Sequence, residues 1–133
     1  MSKLKLWRAF FLLAGLYNLV GGFIGLIDLG AGFERMGLPA PNYPFAFQIL
    51  LVAVMILGVG YLMLAWNPQR HRAIAWLGLL TKLDGFAFTV WAIRTGQLPD
   101  SAWWQPVFND LIWALGFAAF LIAVPDRQEK EST

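Results

Sequence analysis

Lys82 and Asp84 stand near the centre of an apolar run from Ala73 to Ile93. An ionisable side chain at that depth in a bilayer is costly and marks a functional site by default. Asn18 and Asp110 stand inside two other apolar runs, with Asn109 and Trp113 on the same side of the last one as Asp110. Groups of this kind, poorly solvated where they sit, can carry a proton, hold a ligand head group, or act as acid and base. A second reading stays open beside it. Lys82 and Asp110 can form a buried ion pair that only fixes helix register, and removing one partner of such a pair costs about 3–5 kcal/mol.

Other chemistries find little support. There are no cysteines and one histidine, His71, so disulfides, thiolate metal sites and paired-histidine ligation are excluded. Gly30-x-Gly32 follows no strand and is no nucleotide fingerprint. The serines, Ser2, Ser101 and Ser132, are terminal or in a turn and do not suggest a nucleophile. No cofactor is expected, and a formal charge of +2 suggests no nucleic-acid partner.

The elements that position these groups follow from composition. The chain has 133 residues, 59% hydrophobic and 14% charged, against roughly 25% charged in a soluble domain. That is too little polar surface for a water-soluble globule of this size, so lipid is the expected solvent. Four apolar runs are expected to be helices, at residues 6–29, 45–66, 73–94 and 104–124. Each has ~20 residues, enough for a hydrocarbon thickness of ~30 Å at ~1.5 Å per residue. The first run has a basic start, but it is longer than the ~7–15 residues of a signal-peptide core, so a transmembrane helix is expected. An outer loop at 30–44 carries Pro39, Pro41 and Pro44, and Ala31–Leu38 within it is open to two readings, one or two interfacial helical turns or an ordered surface loop. Asn67-Pro68 ends the second run, and Pro125 opens a polar tail at 125–133.

The expected architecture is an all-α membrane protein of one domain, residues 1–133: an antiparallel four-transmembrane-helix bundle. Lys3, Lys5, Arg8, Arg70, Arg72, Arg127 and Lys130 lie on one side and Arg35 and Arg94 on the other. This bias places the N and C termini in the cytoplasm, and with the small size it implies a prokaryotic plasma (inner) membrane. Arg70 and Arg72 then face lipid head groups. Trp66 and Trp76 at one boundary, and Trp91, Trp103 and Trp104 at the other, form interfacial belts, with Tyr61 read as interfacial too.

Counted from the cytoplasmic helix ends, Lys82, Asp84, Asn18 and Asp110 fall roughly 13, 16, 18 and 21 Å deep. A lysine stem spans several Å, so the four can converge in one layer. Gly78, Lys82, Gly85 and Thr89 share one small, polar helix face. Asp84 lies ~200° round from Lys82 and is expected to meet a different polar surface. Asn18, Gly21, Gly22 and Gly25 share a face of the first helix, where Gly21-x-x-x-Gly25 permits close backbone approach.

The segment Leu-Trp-Arg-Ala-Phe-Phe-Leu-Leu-Ala-Gly-Leu-Tyr-Asn-Leu-Val-Gly-Gly-Phe (Leu6–Phe23) and the proline-containing loop before the second helix resemble the small four-helix bacterial membrane proteins grouped as DoxX-like. The resemblance implies the four-helix architecture and no single chemistry. Small multidrug transporters share the helix number, but usually carry a glutamate in the first helix where this chain has Asn18. The expected function is a binding or accessory membrane protein with a polar intramembrane pocket for a lipid-like or hydrophobic small molecule. The alternative is a proton-coupled transporter or membrane-embedded enzyme using Lys82, Asp84 and Asp110. The partners left open beside the lipid bilayer are such a small molecule, a larger membrane complex, and a second copy of the chain.

Overall fold

A computed structural model describes residues 2–126. Arg127, Lys130 and Ser132 lie outside the described residues. The helices are α1 (Lys3–Ile27), α2 (Leu29–Arg35), α3 (Pro44–Trp66), α4 (Arg72–Arg94) and α5 (Ile112–Ala123), with no strand among the described residues. Four segments are long and apolar enough to cross a membrane: Lys3–Ile27, Pro44–Trp66, Arg72–Arg94 and Asp100–Ala123.

The ends have local causes. α1 stops short of the expected residue 29 because Asp28 leaves helical geometry, and its Oδ1 then accepts the Ala31 N–H at 3.0 Å to start α2. The capping carboxylate satisfies one of the orphan N–H groups at the new helix start. α2 fills part of the expected loop, and Gly37 closes it at φ +73°, a conformation that glycine adopts without strain. Phe33 of α2 packs edge-on against Phe47, with centroids 4.8 Å apart. α3 begins on Pro44, whose missing N–H is no loss at a helix start. α4 ends at Gly96, φ +75°, where Gln97 N–H turns back to Ala92 O at 2.8 Å.

The last span differs from the continuous helix expected at 104–124. It opens with a 3-10 turn, Asp100–Trp103, passes through a π segment, Pro106–Leu111, and only then becomes α5. The Ile112 N–H reaches back five residues to Val107 O. Phe108 O accepts instead from the Trp113 indole N–H at 3.1 Å. Single π turns inside helices recur at functional sites, where they redirect side chains and carbonyls.

α1 packs chiefly along α3, and α4 along α5 and the π segment. Glycines set the first contact. A Cβ on Gly15 would lie 2.9 Å from Gly58 O, and one on Gly58 would lie 3.0 Å from Gly15 O. Gly22 and Gly25 receive Met55 and Leu51. Gly21 departs from the expected close-approach pair with Gly25: nothing lies within 4 Å of a Cβ built there. In lipid, such small-residue contacts replace the missing hydrophobic driving force between helices.

The buried core is off-centre. Phe11, Ala14, Tyr61, Leu64, Ala75, Phe117, Phe120 and Leu121 form one cluster. They come from the first part of α1 and α4 and the last part of α3 and α5, so the core occupies one end of the bundle. Tyr61 was expected at an interface. It is instead fully buried in this cluster, with its ring 4.8 Å from that of Phe117. Trp66, Trp76, Trp91, Trp103 and Trp104 are exposed, and Arg94 lies over the Trp103 ring at 6.0 Å.

Two arginines close that same end. Arg8 donates to Ala65 O at 2.9 Å and Trp66 O at 2.7 Å, at the C-terminus of α3. Arg72 donates to Val124 O and Leu121 O, both at 2.8 Å, at the C-terminus of α5. Cations suit helix C-termini, where unsatisfied carbonyls carry partial negative charge. Arg70 is exposed, as a head-group contact requires, whereas Arg72 is half-buried and spends two donors on α5. Arg72→Ala is expected to cost about 2 kcal/mol in detergent unfolding, with Arg72→Lys recovering only part because one ammonium cannot span both carbonyls in the same fork.

Candidate functional site

Beyond the aromatic core, the α1/α3 and α4/α5 pairs leave a cavity of about 430 Å³. Such a volume is within the range of small-molecule sites. Its walls are unlike one another. α3 presents Leu50, Leu51, Val54 and Leu57, with Tyr61 towards its end, whereas α4 presents Thr81, Lys82, Asp84, Gly85 and Thr89, and the last span Gln105, Asn109 and Asp110. Tyr17, Asn18, Gly21 and Gly22 of α1 complete the lining. Tyr17, Gly21, Leu50, Thr81 and Asp84 are also exposed, so they mark where the cavity reaches the surface.

Lys82 and Asp110 are 7% and 5% exposed, and Lys82 Nζ lies 4.0 Å from Asp110 Oδ1. The π segment contributes more than the carboxylate. Lys82 Nζ also donates to the backbone carbonyl of Asn109 at 2.9 Å. The Asn109 side chain donates from Nδ2 to Asp110 Oδ1 at 3.2 Å, and its Oδ1 accepts from the Tyr17 hydroxyl at 2.9 Å. These two bonds fix which end of the amide faces which partner. Tyr17 in turn lies 5.8 Å beneath Lys82 Nζ and 5.0 Å from the Trp113 ring. The result is a continuous network in which Tyr17 donates to Asn109, Asn109 donates to Asp110, and Lys82 donates to the Asn109 carbonyl beside the carboxylate.

Glycine makes room for it. A Cβ on Gly85 would lie 2.7 Å from Asp110 Oδ1, and one on Gly78 would lie 2.4 Å from the Phe117 ring. The shared face of Gly78, Lys82, Gly85 and Thr89 therefore does two jobs. Its first part seats the core, and its second part admits the carboxylate.

Asn18, Lys82, Asp84, Asn109 and Asp110 all line this one cavity. Within it, Asn18 does not reach Asp110; its amide donates across to Val54 O on α3 at 3.3 Å. Trp113 stands behind Tyr17 rather than in the lining. Asp84 was expected on a separate surface from Lys82. The two instead flank the same cavity from opposite edges of the α4 face, with Lys82 buried and Asp84 exposed on the rim. Asp84 makes no hydrogen bond and no ion pair among the described residues.

Compared with protein-family models, characterised proteins and solved structures, the chain finds no match. The site is therefore read from its own atoms. Sequence reasoning missed Tyr17, Gln105 and the cavity role of Tyr61. The Tyr61 hydroxyl and Gln105 Oε1 are buried and have no hydrogen-bond partner among the described residues. Tyr17 had a usable signal, its place beside Asn18 in the middle of a span. Tyr61 had a weaker one: Gly58, Tyr61 and Leu64 recur every three residues, which marks a buried stripe.

Proposed function

We propose that the chain is a multi-pass membrane protein whose cavity binds a small amphiphilic molecule, polar head against α4 and the π segment, hydrocarbon part against α3. In this reading it acts as a binding or accessory protein in a plasma (inner) membrane, alone, with a second copy, or on a larger membrane complex. The four helices run antiparallel with both termini cytoplasmic. The lysine and arginine bias of the loops supports that orientation, and the meeting of Arg8 with the end of α3 and Arg72 with the end of α5 supports the antiparallel order. The DoxX-like layout is consistent with it.

One observation carries the binding reading: a cavity of about 430 Å³ has the polar groups of α4 and the last span on one side and Leu50, Leu51, Val54 and Leu57 of α3 on the other. A pure register-fixing ion pair would not need a cavity of this volume.

Gly21 provides the test. It lines the cavity, yet a Cβ on it meets nothing within 4 Å. Gly21→Leu is expected to fill the cavity while favouring helix α1 by roughly 0.5–1 kcal/mol. Native mass spectrometry after gentle extraction should find a co-purifying amphiphile on the wild type and none on Gly21→Leu. A wild type that carries nothing, or a variant that keeps its passenger, refutes the pocket.

A second reading rests on Asp84. An exposed carboxylate inside a membrane span, on the rim of a cavity that also holds Asp110, is suited to proton exchange. In that case Asp84→Asn abolishes proton-coupled uptake in proteoliposomes with folding intact, whereas a binding or accessory protein still assembles.

A further inference from the structure

We infer that the head group this cavity accepts is a hydrogen-bond-donating cation, a protonated long-chain amine, and not an anion. The inference rests on the pocket reading above and narrows its ligand class.

Charge favours a cation. One lysine and two aspartates line the cavity, so its formal balance is one negative charge. Lys82 is the obvious anchor for an anion, but it is already engaged. It lies 4.0 Å from Asp110 Oδ1 and donates to Asn109 O at 2.9 Å. The cation–π contact with Tyr17, at 5.8 Å, covers a further side of the ammonium. Asp84 has no counter-charge among the described residues, although it stands within the span Arg72–Arg94. A carboxylate at such depth needs a cation more than any other group in the cavity does. An anionic head would add a second uncompensated charge beside it.

Hydrogen bonding at the rim favours a donor head. The Asp84 carboxylate is an acceptor only. Asp84 is thus an exposed acceptor on the cavity rim, and an ammonium head supplies it with donors. A carbonyl or carboxylate head supplies none. The Leu50, Leu51, Val54 and Leu57 wall takes the start of the hydrocarbon tail, and the exposed rim lets the rest lie among the lipid tails.

The full-length protein in phosphatidylcholine nanodiscs is titrated with dodecylamine, 1-dodecanol and dodecanoate at neutral pH, with empty discs as the blank. The three probes share a tail and differ in head charge, and occupancy is read by native mass spectrometry. Dodecylamine is expected to bind about tenfold tighter than dodecanol, with dodecanoate weakest. Asp84→Asn should cut the amine-to-alcohol ratio by about the same factor, and Asp84→Glu should restore it. Asp84 is exposed and its amide is isosteric, and helical circular dichroism verifies the fold of each variant. The wild-type ranking decides the matter even without them. Dodecanoate binding as tightly as dodecylamine, or a ratio unmoved by Asp84→Asn, overturns the inference and leaves the pocket standing. If no probe exceeds the empty-disc blank, the pocket and the inference fall together.

Discussion

Lys82→Met is expected to destabilise the bundle by about 3–5 kcal/mol, the cost of stranding one member of a buried charge pair. The geometry says where the loss arises. The Asp110 carboxylate, 5% exposed, would keep the Asn109 amide at 3.2 Å and lose its cation. Asn109 O would lose its 2.9 Å donor at the point where the π turn has already rearranged the backbone bonds. The pair itself is loose, at 4.0 Å, so its own attraction is modest; the penalty is the unmatched charge in hydrocarbon. The double variant Lys82→Met/Asp110→Leu should therefore recover most of the loss, because two apolar groups leave nothing to solvate. A double-mutant cycle followed by unfolding in mixed micelles reads this directly. Additive losses with no recovery would mean that the two side chains act independently.

Phe117→Ala is expected to cost about 2–3 kcal/mol, less than the same change in a soluble core. In water, truncation loses both transfer free energy and packing; in lipid, the unfolded reference is already solvated by hydrocarbon, so the void is the main term. Phe117 is fully buried, with ring centroids 5.7 Å from Phe10, 5.6 Å from Phe11 and 4.8 Å from Tyr61. It rests on Gly78, where a Cβ would lie 2.4 Å from the ring. This predicts a size exchange. Gly78→Ala alone should cost roughly 1–3 kcal/mol by overpacking, yet it should be tolerated, or even stabilising, beside Phe117→Ala. The check is thermal unfolding of the two single variants and the double. The consequence reaches the site, since Tyr61 belongs to both the cluster and the cavity lining and loses its main support with Phe117.

The division between sequence and tertiary structure follows physical range. Lipid demands long apolar helices, and Pro44, Asn67-Pro68 and Gly96 punctuate them, so the four spans were legible without coordinates. The same holds for the shared face of Gly78, Lys82, Gly85 and Thr89, which a fixed helical period places together. Lys82, Asp110, Asn18 and Asp84 also declared themselves, because a polar group in an apolar run is conspicuous whatever its neighbours. What it touches is a different matter. Neither Asn18 turning to Val54 nor Arg72 reaching the α5 carbonyls depends on local pattern; both follow from which helices pair. The same is true of Gly21, which the α1–α3 crossing leaves open while Gly15, Gly22 and Gly25 are filled. The π turn has no periodic signature, yet it supplies the Asn109 carbonyl to Lys82. The residues that could do chemistry were thus written in the sequence by their cost in lipid. The placing of Asp84 on the rim of the same cavity as Lys82, with Tyr61 and Gln105 in its lining, was decided by how two helix pairs fail to close on each other.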